Sequence, residues 1–183
     1  MKSVLIGGIG NVLLGDDGVG PYVARRLAAE YEFEEGVEVV DLGTPALDLI
    51  DALSGKDAVI LIDSVSAEEK PGSLCLYRKA DIMRLTPSVR MDPHSPALID
   101  ALMSTELFGS APTEILLVGI RPGSYETGCK LTPSVAAAVE PVIAEVLREL
   151  DRLGVCYWRR EGSVESGIWW AEEDESALAV LRR

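Results

Sequence analysis

Carboxylates gather at the points where apolar runs of this chain give way to polar loops. The run Val4–Ile9 leads into Gly10-Asn11-Val12-Leu13-Leu14-Gly15-Asp16-Asp17-Gly18. The run Val37–Leu42 contains Asp41 and is followed by Gly43-Thr44. The run Ala58–Ile62 delivers Asp63 and Ser64, and Asp92-Pro93-His94 carries the only histidine of the chain. Two carboxylates and one imidazole make a three-ligand set with coordination positions left open. Such a set suits a borderline divalent ion such as Ni²⁺ or Zn²⁺. Asp63 stands out because it closes a run of apolar residues, and a charge at such a place is usually paired or bound to metal.

Each acid also has a plainer explanation. Asp16 stands where a helix N-cap is expected, accepting a hydrogen bond from a backbone N–H of the first turn. Asp17 then falls in that first turn, where the helix dipole favours the ionised carboxylate. Gly8-x-Gly10 after a strand hints at a dinucleotide site, but the third glycine of that pattern is replaced by Leu13. Asp16 and Asp17 would also repel a pyrophosphate at the helix start.

These residues need elements to hold them. Val4–Ile9, Val37–Leu42, Ala58–Ile62 and Glu114–Ile120 read as buried strands, with Ser73–Tyr77 as a shorter one. Asp17–Tyr31 reads as a helix with Val19, Val23, Leu27 and Tyr31 on one face. Pro45–Leu53 is a short helix, Ser95–Leu107 another, and Thr132-Pro133 opens a long one that Gly154 ends. Apolar strands alternating with amphipathic helices predict a three-layer α/β/α sandwich with a mostly parallel twisted central sheet. In such sheets ligands sit at the carboxyl ends of the strands, where the acids gather.

The 183 residues suffice for one domain with its own core. Residues 1–154 form that domain, and 155–183 read as an acidic extension carrying Trp169-Trp170, the run Glu172–Glu175 and a short helix near Ser176–Leu181. The extension either packs on the domain through its tryptophans or docks a partner. A formal net charge of −13 without basic patches excludes nucleic acid and an anionic membrane surface as partners. No segment approaches the length of a membrane span, and no signal-peptide cleavage pattern is evident. Cys75, Cys129 and Cys156 are scattered and odd in number, which argues against a disulfide framework or zinc ribbon. They read as small apolar residues in a reducing, cytoplasmic setting.

The opening string Gly8-Ile9-Gly10-Asn11-Val12-Leu13-Leu14-Gly15-Asp16-Asp17-Gly18-Val19-Gly20 resembles the first motif of the hydrogenase maturation endopeptidases. The resemblance continues through Val59–Asp63, Asp92-Pro93-His94, Leu117–Pro122 and Leu131–Val135, in order, over about residues 3–150. It implies an α/β/α fold. It also implies an endopeptidase, aspartic-type or metal-dependent, that removes a short C-terminal peptide from a [NiFe]-hydrogenase large-subunit precursor after nickel insertion. The nickel-associated residues of the family fall on Asp17, Asp63 and His94. Nickel is then substrate-borne and bound transiently, and zinc or cadmium can substitute for it. Asp16 and Asp41 are the candidates for the catalytic base that activates water. Two positions depart from the family pattern. The first ligand is often Glu but here is Asp17, and the loop after the second strand is stiffened by Pro45. The alternative is a maturation chaperone, a non-hydrolytic module that inspects the precursor in a nickel-dependent way. A serine hydrolase is disfavoured, because no G-x-S-x-G elbow is present.

Overall fold

Val4–Ile9 is buried at every residue, so it must lie inside a sheet covered on both faces. The computed structural model describes residues 2–84, 95–162 and 167–168. Along the chain the elements are β1 (Val4–Ile9), a single 3₁₀ turn (Gly15–Gly18), α1 (Val19–Glu30), β2 (Tyr31–Phe33), β3 (Val37–Gly43) and α2 (Asp48–Leu53). There follow β4 (Ala58–Ser64), β5 (Leu74–Arg78), α3 (Lys79–Ile82), α4 (Ser95–Leu107), β6 (Glu114–Ile120), α5 (Pro133–Leu153) and β7 (Tyr157–Arg159).

Five strands form the central sheet in the order β3-β1-β4-β6-β5. The first four run parallel, and β5 closes one edge antiparallel to β6. Parallel neighbours require crossovers, and the helices that supply them cover the faces. Alternate residues of each strand feed different cores. Ile6, Ile60 and Val118 pack with α1 and α5, whereas Leu5, Leu61 and Leu117 pack with α2, α3 and α4. The architecture is the expected α/β/α sandwich. From β1 the chain moves outward to β3 and then returns to β4 on the other side of β1. The strand order therefore reverses between β1 and β4, and their carboxyl ends frame the crevice where such folds bind ligands.

α5 shows how pattern becomes packing. Val135, Ala138, Val139, Val142, Ile143, Val146, Leu150 and Leu153 recur at helical spacing and are all buried. Gly154 ends the helix in the left-handed conformation that costs glycine little. Glu149 falls on the same buried stripe. It is tolerated because the Arg78 guanidinium meets both its oxygens, at 2.5 and 2.8 Å, and Arg152 adds two more bonds. Burial pushes the Glu149 carboxyl up, but the two arginines outweigh this and hold it below its ordinary value.

Several expected boundaries shift. The helix predicted over Asp17–Tyr31 begins only at Val19, with Asp16 and Asp17 in the preceding 3₁₀ turn, and Tyr31 starts β2 instead of ending the helix. α2 starts at Asp48, not at Pro45, and β4 extends to include Asp63 and Ser64. After Gly154, Val155 is buried and Tyr157–Arg159 pair antiparallel with β2. Tyr157 packs edge-on against Tyr31. The three cysteines are free; Cys75 and Cys129 are partly exposed and Cys156 is exposed. No helix among the described residues is long and apolar enough to cross a membrane. Asp92, His94, Trp169, Trp170, Glu172–Glu175 and the stretch Ser176–Leu181 lie outside the described residues.

Candidate active site

The glycines of the opening motif bring a helix flush against two strand ends. A Cβ at Gly20 would press on the carbonyl oxygens of Ile9 and Ile62, the last residues of β1 and near the end of β4. A Cβ at Gly8 would press on the Gly20 carbonyl, and one at Gly10, whose φ is +139°, on the Asp17 carbonyl. Glycine is therefore required for contact between backbones. The result is that the 3₁₀ turn carrying Asp16 and Asp17 is held over the crevice between β1 and β4.

Asp17 points into that crevice. It is 3% exposed; its Oδ2 accepts the Asn11 N–H at 2.8 Å and its Oδ1 accepts the Ser64 hydroxyl at 2.7 Å. Ser64 is fully buried, and its own N–H donates to Asp63 Oδ1 at 2.8 Å. Asp63 is 4% exposed. One serine thus touches both buried carboxylates selected from the sequence. Two anions so placed, in a region of low dielectric, favour a cation between or beside them. A carboxylate oxygen offers two lone-pair sites. Each Asp17 oxygen accepts one hydrogen bond, so each retains a site for a further donor or a metal.

Asp16 has a different environment. It is fully buried, and its carboxylate accepts four hydrogen bonds from one loop. Gly123 N–H, Ser124 N–H and the Thr132 hydroxyl reach Oδ2 at 2.7, 3.1 and 2.8 Å, and Thr132 N–H reaches Oδ1 at 2.6 Å. The N-cap expectation is therefore corrected. The 3₁₀ turn and α1 both lack a side-chain cap, and Asp16 binds a distant loop rather than its own helix. The loop is zipped further to the opening motif by Gly15 N–H to Gly128 O at 2.7 Å and Gly128 N–H to Leu13 O at 2.9 Å.

Asp41 lies on β3, opposite Gly8 in the register. Its Oδ1 accepts the Gly43 N–H at 3.1 Å, and Oδ2 stands 3.4 Å from the Arg25 guanidinium. Gly43 O in turn accepts the Gly10 N–H at 2.7 Å. Asp41 therefore borders the opening loop. Its bonds go to Gly43 and Arg25, not to Asn11 or Ser64, which hold Asp17. His94, the third candidate ligand, lies outside the described residues. Among the described residues no three His, Cys, Asp or Glu side chains form a metal cluster.

The sequence singled out the acids but gave no role to the groups that fix them: Asn11, Ser64, Tyr125 and Thr132. Tyr125 is 42% exposed, and its hydroxyl stands 3.4 Å from Ser64 Oγ. Nothing in the local pattern marks these residues, because they are hydrogen-bonded to partners up to 116 positions away.

The chain is similar to known proteins over most of its length. The family model described as hydrogenase maturation protease matches residues 21–149, a span that holds Asp41, Asp63 and His94 and begins after Asp17. The chain is 33% identical over 153 residues to the Hydrogenase 2 maturation protease of Escherichia coli (strain K12), covering 83% of this chain and 93% of that one. It is 35% identical to the hydrogenase expression/formation protein HupM of Azotobacter chroococcum mcd 1, over 89% of this chain and 78% of that one. Among solved structures, the hydrogenase maturating endopeptidase HybD from E. coli superposes with a TM-score of 0.80 at 31% identity, covering 87% of this chain and 98% of that one.

Proposed function

The chain belongs to the hydrogenase maturation protease family, and on that premise we propose that it removes a short C-terminal peptide from a [NiFe]-hydrogenase large-subunit precursor once nickel is in place. The observation that carries the reading is the pair of buried carboxylates, Asp17 and Asp63, at the carboxyl ends of β1 and β4. With His94 they supply two oxygen donors and one nitrogen donor, a set suited to nickel, with zinc or cadmium as substitutes. Nickel belongs to the substrate in this reading. An ion already held by the precursor gains its remaining ligands here, so only loaded precursor is seated for cleavage. The ion also orients the scissile bond or polarises its carbonyl.

Asp16 is assigned to holding the loop at residues 122–132 against the opening motif. Its four hydrogen bonds, three on Oδ2 and one on Oδ1, tie both oxygens to that loop, and full burial keeps it from solvent. Asp41 has free acceptor capacity and remains the candidate for activating water. The reaction is assigned to the cytoplasm, where the free cysteines remain reduced.

The test is mass spectrometry of purified precursor incubated with catalytic amounts of this protein, with and without nickel. Release of a C-terminal peptide from nickel-loaded precursor alone, at many turnovers per protein molecule, is the expected result. Asp17→Asn, Asp63→Asn and His94→Ala each abolish it while leaving the circular dichroism spectrum unchanged. Nickel-dependent one-to-one retention without cleavage would replace the protease by the inspection chaperone. Normal processing by Asp63→Asn or His94→Ala would sink the ligand assignment.

A further inference from the structure

The Ser64 hydroxyl has a single proton, and its position is determined by its neighbours. An ionised carboxylate has no proton to give, so in the 2.7 Å contact Ser64 donates and Asp17 Oδ1 accepts. At the 3.4 Å contact with Tyr125, either hydroxyl could donate on distance alone. The Ser64 proton is committed to Asp17, so at the Tyr125 contact the serine oxygen can only accept. The backbone N–H of the same serine is committed to Asp63 Oδ1 at 2.8 Å. The buried serine therefore donates to both acids, through its hydroxyl to Asp17 and through its backbone N–H to Asp63.

We propose that Ser64 is a positioning residue whose hydroxyl sets the orientation of Asp17 beside Asp63. The two carboxylates sit on different elements, the 3₁₀ turn and the end of β4. Asn11 N–H fixes one oxygen of Asp17. Without a second donor the carboxylate can swing about that bond, and two like-charged groups in a buried crevice favour turning apart. Ser64 supplies the second donor from the residue that adjoins Asp63. One residue thereby bonds both acids, Asp17 through its hydroxyl and Asp63 through its backbone N–H. Tyr125, 42% exposed, stands 3.4 Å from Ser64 Oγ and is the member of this cluster nearest solvent.

This proposal rests on Asp17 and Asp63 serving the proposed protease, and its test includes a readout independent of that activity. In Ser64→Ala, amide hydrogen exchange followed by NMR reads the Asn11 N–H, the remaining anchor of Asp17. Exchange at Asn11 accelerates about tenfold or more, while β6 amides such as Val118 keep their rates. Loss of a group that orients a ligand costs roughly ten- to a hundredfold in metal affinity or activity. In the processing assay the variant therefore loses kcat/KM by that factor, and Ser64→Thr, which keeps the hydroxyl, regains most of it. Unchanged exchange at Asn11 overturns the proposal, whatever the activity. A uniform acceleration across Asn11 and β6 also overturns it, since that is general destabilisation. Wild-type protein that cleaves no precursor defeats the protease reading but leaves the exchange result to decide the role of Ser64.

Discussion

Replacing Gly20 by alanine sets two physical effects of opposite sign against each other. Gly20 lies in the first turn of α1, where alanine is intrinsically better than glycine by about 1 kcal/mol. Propensity alone therefore predicts a more stable protein. The added Cβ, however, would meet Ile9 N at 2.7 Å and press closer still on the carbonyl oxygens of Ile9 and Ile62. All three are backbone atoms of sheet strands, so no side-chain rotation relieves them. The helix must lift by an appreciable fraction of an ångström, and overpacking of this kind costs about 1–3 kcal/mol or more. Lifting also carries the Asp17 carboxylate away from Ser64, losing a charge-assisted hydrogen bond of about 1.5–3 kcal/mol. The expected net loss is about 3 kcal/mol, a fall in Tm of roughly 6–12 °C for a chain of this size. Thermal and urea unfolding followed by circular dichroism measure it, and precursor processing should fall with it. Gly7→Ala is the control. The atoms nearest its Cβ belong to the Leu42 and Leu61 side chains, which can turn aside, so the loss should be smaller. A Gly20→Ala variant as stable as wild type would refute the argument that backbone contact, rather than ligand binding, requires this glycine.

Two further outcomes follow from the same structure. Asp16→Asn places an amide N–H₂ against donors from Gly123, Ser124 and Thr132, so it should cost about 2–4 kcal/mol and open the loop at residues 122–132 to limited proteolysis; an uncut loop at wild-type stability contradicts its assigned role. Glu149→Gln should destabilise by about 1–2 kcal/mol at neutral pH, a value kept low because Arg78 and Arg152 are each 45% exposed. The folded-state carboxyl of Glu149 is held below its ordinary value, so its contribution is fully present above about pH 4.3 and is lost as acid titrates the folded protein. Urea midpoints of variant and wild type should therefore differ at pH 7 and converge toward pH 3; a constant difference across that range contradicts the ion-pair origin.

The sequence by itself determined the layers and the acids. Strands buried on both faces must be apolar throughout, so Val4–Ile9, Ala58–Ile62 and Glu114–Ile120 announce a covered parallel sheet. The stripe Val135–Leu153 likewise announces the helix that covers it. A carboxylate that follows such a strand is rare enough to be noticed, which is how Asp17 and Asp63 were found without coordinates. The tertiary structure decided what each acid touches. Asp16 and Asp17 are neighbours in sequence and share the same local signals, yet one is held by a loop more than 100 residues away and the other by a serine 47 positions on. Local pattern records the energy of helices and strands. The partners of a buried carboxylate depend on which distant backbones the sheet order brings together, and on the glycines at 8 and 20 that let them touch.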